Sequence, residues 1–419
     1  MRGGRRAYIT GIGCVGPHGI GTAAFEAGLR AGQSATRALS LFPAGDLPCR
    51  VAGEVPDFRP DEHLEGRARG RVARVVPMAL LAAREALASA GLDPDDLPEE
   101  VRQRLHVLLG SGAGCIEFAE RQYAKLFESG ARGVSPYAVP SSTPGMLSSE
   151  LSIALGLGGM SHVLSNGCTS ATDALGYALD LVRAERADLV LCGGADACIT
   201  PGVLAGYCNL RVVTTSWNQA PERASRPMSA DRDGFVLGEG AWLFVVESED
   251  WLRRREREPL AEIAGYGATC EAYHRVALRE DGRDVARAIY LALHDARVSP
   301  EEIDYVNLHG TGTPLNDRVE TRALKRVFAD RAGRVPMSST KSLVGHPQGA
   351  SGAAGVAATI LGMRAGFVHP TANLEQPDPE CDLDYVPHES RPVRVRSALC
   401  NCLGFGSKNS ALVIRDGSS

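Results

Sequence analysis

Three side chains in this sequence have the types and settings to do chemistry together. The stretch "VLSNGCTSATDALGYALDLV", residues 163–182, puts Cys168 after an Asn-Gly turn signal and then spaces Ala171, Leu175, Ala178, Leu179 and Val182 at helical intervals. Cys168 therefore opens a helix, where the dipole and free backbone amides are expected to hold its thiol pKa below the ~8.5 of a free cysteine. His309 lies in "NLHGTGTP" and His346 in "STKSLVGHPQGASG". Each alone has an ordinary explanation, since buried cysteines pack as small hydrophobes and single histidines are commonly structural. Together they occupy glycine-rich turns after strands or before helices, where chemistry on α/β folds collects. A cysteine with two histidines and no carboxylate beside them suggests acyl transfer through a thioester. Zinc would want ligands at regular spacing, which do not occur here. A cysteine protease would use one histidine as base with a polar orienter. A second histidine makes more sense where an enolate oxygen must be stabilised, because neutral imidazole N–H groups donate without sequestering a proton.

The elements that must position these groups are written into the chain twice. "AYITGIGC" from Ala7 is echoed by "AEIAGYGA" from Ala261, each read as a buried strand running into a Gly-x-Gly turn. "ALASAGLDPDDL" from Ala86 matches "ALHDARVSPEEI" from Ala292, an apolar helix ending in a Pro-acidic-acidic turn each time. The strand "HVLLGSGAG" and its glycine-rich turn answer "DYVNLHGTGT", and the cysteine helix answers "VGHPQGASGAAGVAATILGMRAG". Two such repeats predict an α/β duplication whose equivalent loops converge near a pseudo-twofold axis. The boundary is placed so that residues 1–255 carry the cysteine and residues 256–419 the histidines. The first half also carries an insertion containing "RARGRVAR".

Composition narrows the function classes. A 419-residue chain that is 44% hydrophobic suffices for a packed core of one large or two ordinary domains. No apolar run approaches the length of a membrane span, and the segment after "MRGGRR" is broken by glycines, unlike a signal peptide. The 11 cysteines form no CxxC pair and read as reduced thiols of a cytoplasmic protein. A formal net charge of −5 argues against nucleic acid as the main partner.

Taken together, "GCTSATDALG", "NLHGTGTPLNDRVET", "SSTKSLVGHPQGASGAAG", "PTANLEQPDPECDLDYVP" and "NCLGFGSKNSALVI" resemble the β-ketoacyl-[acyl carrier protein] synthases of the thiolase superfamily, in order and over nearly the whole chain. The resemblance implies a duplicated, five-layered αβαβα fold and a Cys168, His309, His346 site. It implies that Cys168 takes an acyl chain from a carrier protein, and that both histidines assist malonyl decarboxylation and hold the enolate. Lys341 and Glu320 match groups that organise the histidines. Thr311 and Thr313 fall where the family contacts the phosphopantetheine arm, which the carrier brings, so no resident cofactor and no metal is expected. The backbone amides of Cys168 and Phe405 would form the oxyanion hole, with Phe405 as gate. Ala113, Cys115 and Tyr137 would line the acyl tunnel, and Arg67, Arg69, Arg71 and Arg74 would dock the acidic carrier.

Two departures stand out. Ser407 replaces the last glycine of the usual Gly-Phe-Gly-Gly, and Asn166-Gly167 replaces Thr-Ala before the cysteine. The Gly-Cys-Thr-Ser run is nearer to the ketosynthase α subunits of type II polyketide synthases, whereas "NCLGFG" leans towards the fatty acid enzymes. The resemblance thus implies a polyketide ketosynthase first and an elongating fatty acid synthase second. A non-catalytic chain-length-factor subunit is disfavoured because such subunits typically lack the cysteine. A heterodimer with such a subunit is expected, otherwise a homodimer.

Overall fold

The computed structural model describes residues 5–64 and 70–417. Its sheet is built from two copies of one five-strand pattern. The first half supplies β1 (Ala7–Gly16), β2 (Leu105–Gly110), β3 (Ser161–Leu164), β4 (Leu189–Asp196) and β5 (Gly240–Ser248). The second supplies β6 (Ala261–Cys270), β7 (Tyr305–Asn307), β8 (Met337–Ser338), β9 (Ser397–Gly404) and β10 (Lys408–Asp416). The strand order is β8-β7-β9-β10-β6-β1-β5-β4-β2-β3, with the two-residue strand Gly19–Ile20 paired to the last residues of β1. Counted outward from the centre, each half runs first, fifth, fourth, second, third. Both are antiparallel for the inner pairs and parallel for the outer ones. The halves meet in a short antiparallel ladder, Ala7 opposite Ile263 and Ile9 opposite Ala261.

Helices fill three layers around these strands. The middle layer is α2 (Ser170–Arg183) and α5 (Ser351–Ala365). Helix α5 is Ala- and Gly-rich and buried on almost every side, as expected of a helix with no solvent face. Both pack into one core with Ile9, Val190 and Phe244 of the first half and Ile263, Ala398 and Leu412 of the second. Alternate residues of the same strands, such as Leu191 and Leu243, point instead to an outer core beneath α1 (Val75–Ser89). The outer layer of the second half is α3 (Arg283–Ala296) and α4 (Pro314–Phe328), over Val306, Leu399 and Val413. The result is the αβαβα stack.

The Gly-x-Gly pairs are not turns. Gly11 and Gly13 lie inside β1 because α1 presses directly on that strand: a Cβ on Gly13 would sit 1.9 Å from the Ala82 carbonyl oxygen. Gly267 is in the same position under α3, 2.3 Å from the Ala288 carbonyl oxygen. Among the described residues no helix is long and apolar enough to cross a membrane.

Candidate active site

Each proposed catalytic side chain is fixed by backbone bonds that cross between elements. Cys168 follows Gly167, whose φ of 68° turns the chain into α2. Helix α2 begins two residues later, preceded by Thr169, whose hydroxyl donates to the Asp173 carboxylate at 2.9 Å. Asp173 also accepts from Tyr266 on β6 at 2.8 Å and from Ser410 on β10, so the cysteine turn is anchored to the opposite half. His309 follows β7. Its backbone N–H and that of Gly310 donate to the two oxygens of Glu320 at 2.8 and 2.7 Å, and Asn401 Nδ2 donates to the same carboxylate at 2.7 Å. His346 is held through its backbone, with N–H donated to Val236 and C=O accepting from Gly238. Its ring packs edge-on to Phe235 at 5.2 Å and to His309 at 5.4 Å. One ligand-type atom from each of Cys168, His309 and His346 lies within 4.8 Å of the others, a spacing that would also suit a metal ion.

Burial dominates the electrostatics. The Cys168 thiol is pushed up to about 12, chiefly by burial and then by Cys402, against the pull of Lys341 and a hydrogen bond from the Phe405 N–H. The helix-opening position therefore does not produce a resting thiolate, contrary to the expectation from sequence. Dehydration outweighs a helix-end effect of about 0.3–2 kcal/mol. Both histidines are held well below the usual imidazole range by burial and by Lys341, His309 also by His346, which keeps the rings neutral. Lys341 is itself lowered by burial. Burial raises Glu320 to about 7 despite the three N–H donors. Cys402 completes the cluster, its thiol donating to the Cys168 carbonyl at 3.1 Å and touching His309 Nδ1 at 3.6 Å.

A cavity of about 490 Å³ opens over the three residues, with Thr311, Thr313, Phe235, Gln348 and Phe405 in its wall. The two threonine hydroxyls bond each other at 2.9 Å. Phe405 is at the tip of the tight β9–β10 hairpin. Next to it, Ser407 takes a left-handed φ of 65° and is pinned: its hydroxyl donates to the His274 carbonyl at 2.8 Å and accepts from the His274 N–H at 3.1 Å. The Gly406 N–H donates to Arg275 and the Ser407 carbonyl accepts from Glu271. The residue that departs from the family pattern thus ties the Phe405 hairpin to the 271–278 segment, which forms part of the cavity wall.

Other expected site residues lie elsewhere. Ala113, Cys115 and Tyr137 do not line this cavity. Cys115 is packed beneath α1 in the outer core, Ala113 donates its N–H to Asp196, and Tyr137 is 40% exposed against Arg71. Arg74 is turned inward, its side chain 12% exposed and forked onto the fully buried Glu239 at 2.8 and 2.9 Å. It neutralises an internal charge and offers none for docking. Arg71 stays at the surface, while Arg67 and Arg69 lie outside the described residues. Sequence reasoning missed Asp196, whose carboxylate accepts from Ser111 Oγ at 2.7 Å and from the N–H groups of Gly112, Ala113 and Gly349 at 2.7, 3.1 and 2.6 Å. It sits in the apolar strand "LVLCGGAD", and nothing local marks it.

The N-terminal and C-terminal domain models of β-ketoacyl synthase match residues 5–250 and 260–375. The chain is 43% identical to the tetracenomycin polyketide synthase ketoacyl synthase alpha subunit of Streptomyces glaucescens, over 98% of this chain and 97% of that one. It is 38% identical to the 3-oxoacyl-[acyl-carrier-protein] synthase 2 of Synechocystis, with 98% of each covered. Among solved structures it superposes on the ishigamide ketosynthase/chain length factor with a TM-score of 0.91 at 32% identity, over 99% of this chain and 100% of that one. A type II polyketide synthase acyl-carrier protein in complex with its ketosynthase bound to the hexaketide gives 0.89 at 29% identity, over 99% and 100%.

Proposed function

The chain belongs to the β-ketoacyl synthase family of condensing acyltransferases, and from that premise we propose that it is the ketosynthase of a dissociated type II polyketide synthase. The observation that carries the reading is the convergence of Cys168, neutral His309 and neutral His346 beneath one cavity. In the first half-reaction the Cys168 sulfur attacks an acyl thioester delivered on the phosphopantetheine arm of a carrier protein. Because burial keeps the resting group a thiol, its proton leaves as the C–S bond forms, and a neighbouring neutral imidazole is the acceptor within reach. The N–H groups of Cys168 and Phe405 hold the developing oxyanion. The carrier thiol departs, taking the proton.

In the second half-reaction malonyl thioester occupies the cavity, with Thr311 and Thr313 along the arm. Neutral imidazole N–H groups of His309 and His346 donate to the thioester oxygen, the bond to the carboxylate carbon breaks, and carbon dioxide leaves. The resulting enolate carbon attacks the Cys168 thioester, a C–C bond forms, the C–S bond breaks, and the departing sulfur takes one proton from solvent to restore the thiol. Glu320 and Lys341 act as positioning residues: Glu320 fixes the His309 backbone, and Lys341 adds to burial in keeping both rings neutral.

The Gly-Cys-Thr-Ser run and the higher identity to a polyketide ketosynthase favour this pathway. The 38% identity to a 3-oxoacyl synthase supports primary fatty acid elongation as the second reading. A dimer is supported by exposed apolar side chains, Tyr123, Phe127, Val139 and Ile153, 62–84% exposed, the last on the helix Met146–Leu155 that packs against the sheet-edge strand β3. The partner we propose is a chain-length-factor-like subunit. The carrier is proposed to dock through the 67–71 arginines, and the unpaired cysteines suit a reducing cytoplasm. The test is peptide mass spectrometry after exposure to an acylated carrier protein. The acyl adduct is expected on Cys168, and Cys168→Ala should abolish condensation. An adduct mainly on another cysteine, with condensation surviving in that variant, would refute the mechanism.

A further inference from the structure

One group in the cavity wall is not used by the chemistry above. Gln348 lies two residues after His346, in the turn that leads into α5, and its backbone adopts a left-handed φ of 45°. Non-glycine residues hold such a conformation only where the surroundings impose it, and such positions cluster at functional sites. The surroundings here are tight. The next residue, Gly349, donates its N–H to buried Asp196 at 2.6 Å, and His346 is tied on both sides of its peptide to Val236 and Gly238. The Gln348 side chain is 6% exposed and lines the cavity with Cys168.

Its amide is half satisfied. Tyr207 donates its hydroxyl to Gln348 Oε1 at 2.9 Å, and the Tyr207 ring is braced edge-on against Phe235 at 5.3 Å, the same ring that packs against His346. Gln348 Nε2 is buried and has no hydrogen-bond partner among the described residues. A buried donor left unpaired costs folding free energy, so its persistence in a wall that also carries Val212, Leu278 and Leu403 points to an acceptor that arrives with the substrate. The Tyr207 bond engages the oxygen end of the amide, which leaves the N–H groups as its unpaired end.

We propose that Gln348, oriented by Tyr207, is a specificity-determining residue that donates an amide N–H to a carbonyl oxygen of the bound acyl chain, so that the site takes β-ketoacyl thioesters in preference to saturated ones. A saturated chain brings no acceptor and leaves the donor unpaired, and a site built around a buried donor discriminates against the analogue that lacks the acceptor. The inference rests on the ketosynthase reading and adds to it the chemical class of the chain.

The test uses the full chain and two small probes that need no carrier docking, acetoacetyl-pantetheine and butyryl-pantetheine, offered without malonyl donor. Early-time intact mass gives the ratio of the two acyl adducts on Cys168. The wild type should favour acetoacetyl, Gln348→Met should lower that ratio about ten-fold, and Tyr207→Phe should lower it about three-fold by freeing the amide to rotate. Should Gln348→Met not fold, Tyr207→Phe carries the test alone. A ratio that neither variant moves overturns the proposal, and so does an unmoved ratio with slower malonyl-pantetheine decarboxylation, which would assign Gln348 to the extender. If the wild type loads neither probe on Cys168, the ketosynthase reading itself fails.

Discussion

The loop after β2 and the loop after β7 occupy equivalent places in the duplicated fold and do different work. Gly110-Ser111-Gly112-Ala113-Gly114 in the first half aligns with Leu308-His309-Gly310-Thr311-Gly312 in the second. Each is clamped by a buried carboxylate, Asp196 in one case and Glu320 in the other, that accepts successive backbone N–H groups. Burial raises both acids, Asp196 to about 6 and Glu320 to about 7. The clamps come from different elements, Asp196 from the end of β4 and Glu320 from α4, and the side chain at the shared loop position is Ser111, spent on Asp196, in one copy and His309, free to face the cavity, in the other. The difference teaches that the clamp is a structural solution and the chemistry an occupant of it. The cysteine and the bases come from opposite halves because only the junction brings the equivalent loops together.

The largest test of that contrast replaces the aligned side chains. His309→Ala should lower malonyl decarboxylation by about 10²–10⁴-fold while acyl loading on Cys168 partly survives. Ser111→Ala should leave decarboxylation within a few-fold of wild type but lower stability by about 1–3 kcal/mol, because a buried carboxylate loses its hydroxyl donor. If Ser111→Ala cost as much activity as His309→Ala, the division between scaffold and chemistry would be wrong.

A smaller effect should come from the two clamps. A carboxyl raised in the folded state contributes stability that is fully present below its unfolded pKa and is lost as pH rises through its folded one. For Glu320 that window runs from the ordinary 4.5 to about 7, and for Asp196 from 3.8 to about 6. Urea unfolding across pH should therefore show Glu320→Gln and Asp196→Asn gaining on wild type as pH rises through their respective windows, by on the order of 1–3 kcal/mol. A gain in only one variant would break the equivalence of the clamps.

The smallest effect concerns the connections that follow the clamped loops. Between β4 and β5 the first half inserts residues 197–239, whereas β9 and β10 are joined by Phe405, Gly406 and Ser407 alone. Ser407→Gly removes the hydroxyl latch and the positive-φ strain together, so the melting temperature should move by no more than about 2–4 °C. Amide exchange across 271–275 and 404–408 should nevertheless quicken several-fold by hydrogen-exchange mass spectrometry. Unchanged exchange would mean that the tight hairpin alone holds Phe405 in place.

The sequence was most readable where a residue type announces itself locally. Cys168, His309 and His346 stand in glycine-rich turns, and the echo of "AYITGIGC" in "AEIAGYGA" marks the two strands that pair at the junction. It was least readable where a role depends on a distant partner. Arg74 looked like one charge of a surface cluster because Glu239, 165 positions away, does not show in the local pattern. Gly11 and Gly13 looked like turn residues because nothing in their own segment reveals the helix lying on them. The thiol of Cys168 was misjudged for the same reason: helix position is local, but dehydration is a property of the finished fold.

The junction has a consequence for how the chain must be made. Strand β10 leaves the ribosome after the other nine, yet it lies between β9 and β6, and its Leu412 and Ile414 share the middle core with Ile9 and with helix α2. Until β10 emerges, α2 lacks its contact with Leu412 and Ile414, and Asp173 is without its Ser410 partner. Contacts spanning hundreds of residues close slowly, and an exposed apolar layer is the state in which nascent chains associate wrongly. Duplication, which gave the enzyme a site between two halves, also leaves the first half waiting for the second throughout synthesis, so the price of a shared interior falls on the order of translation.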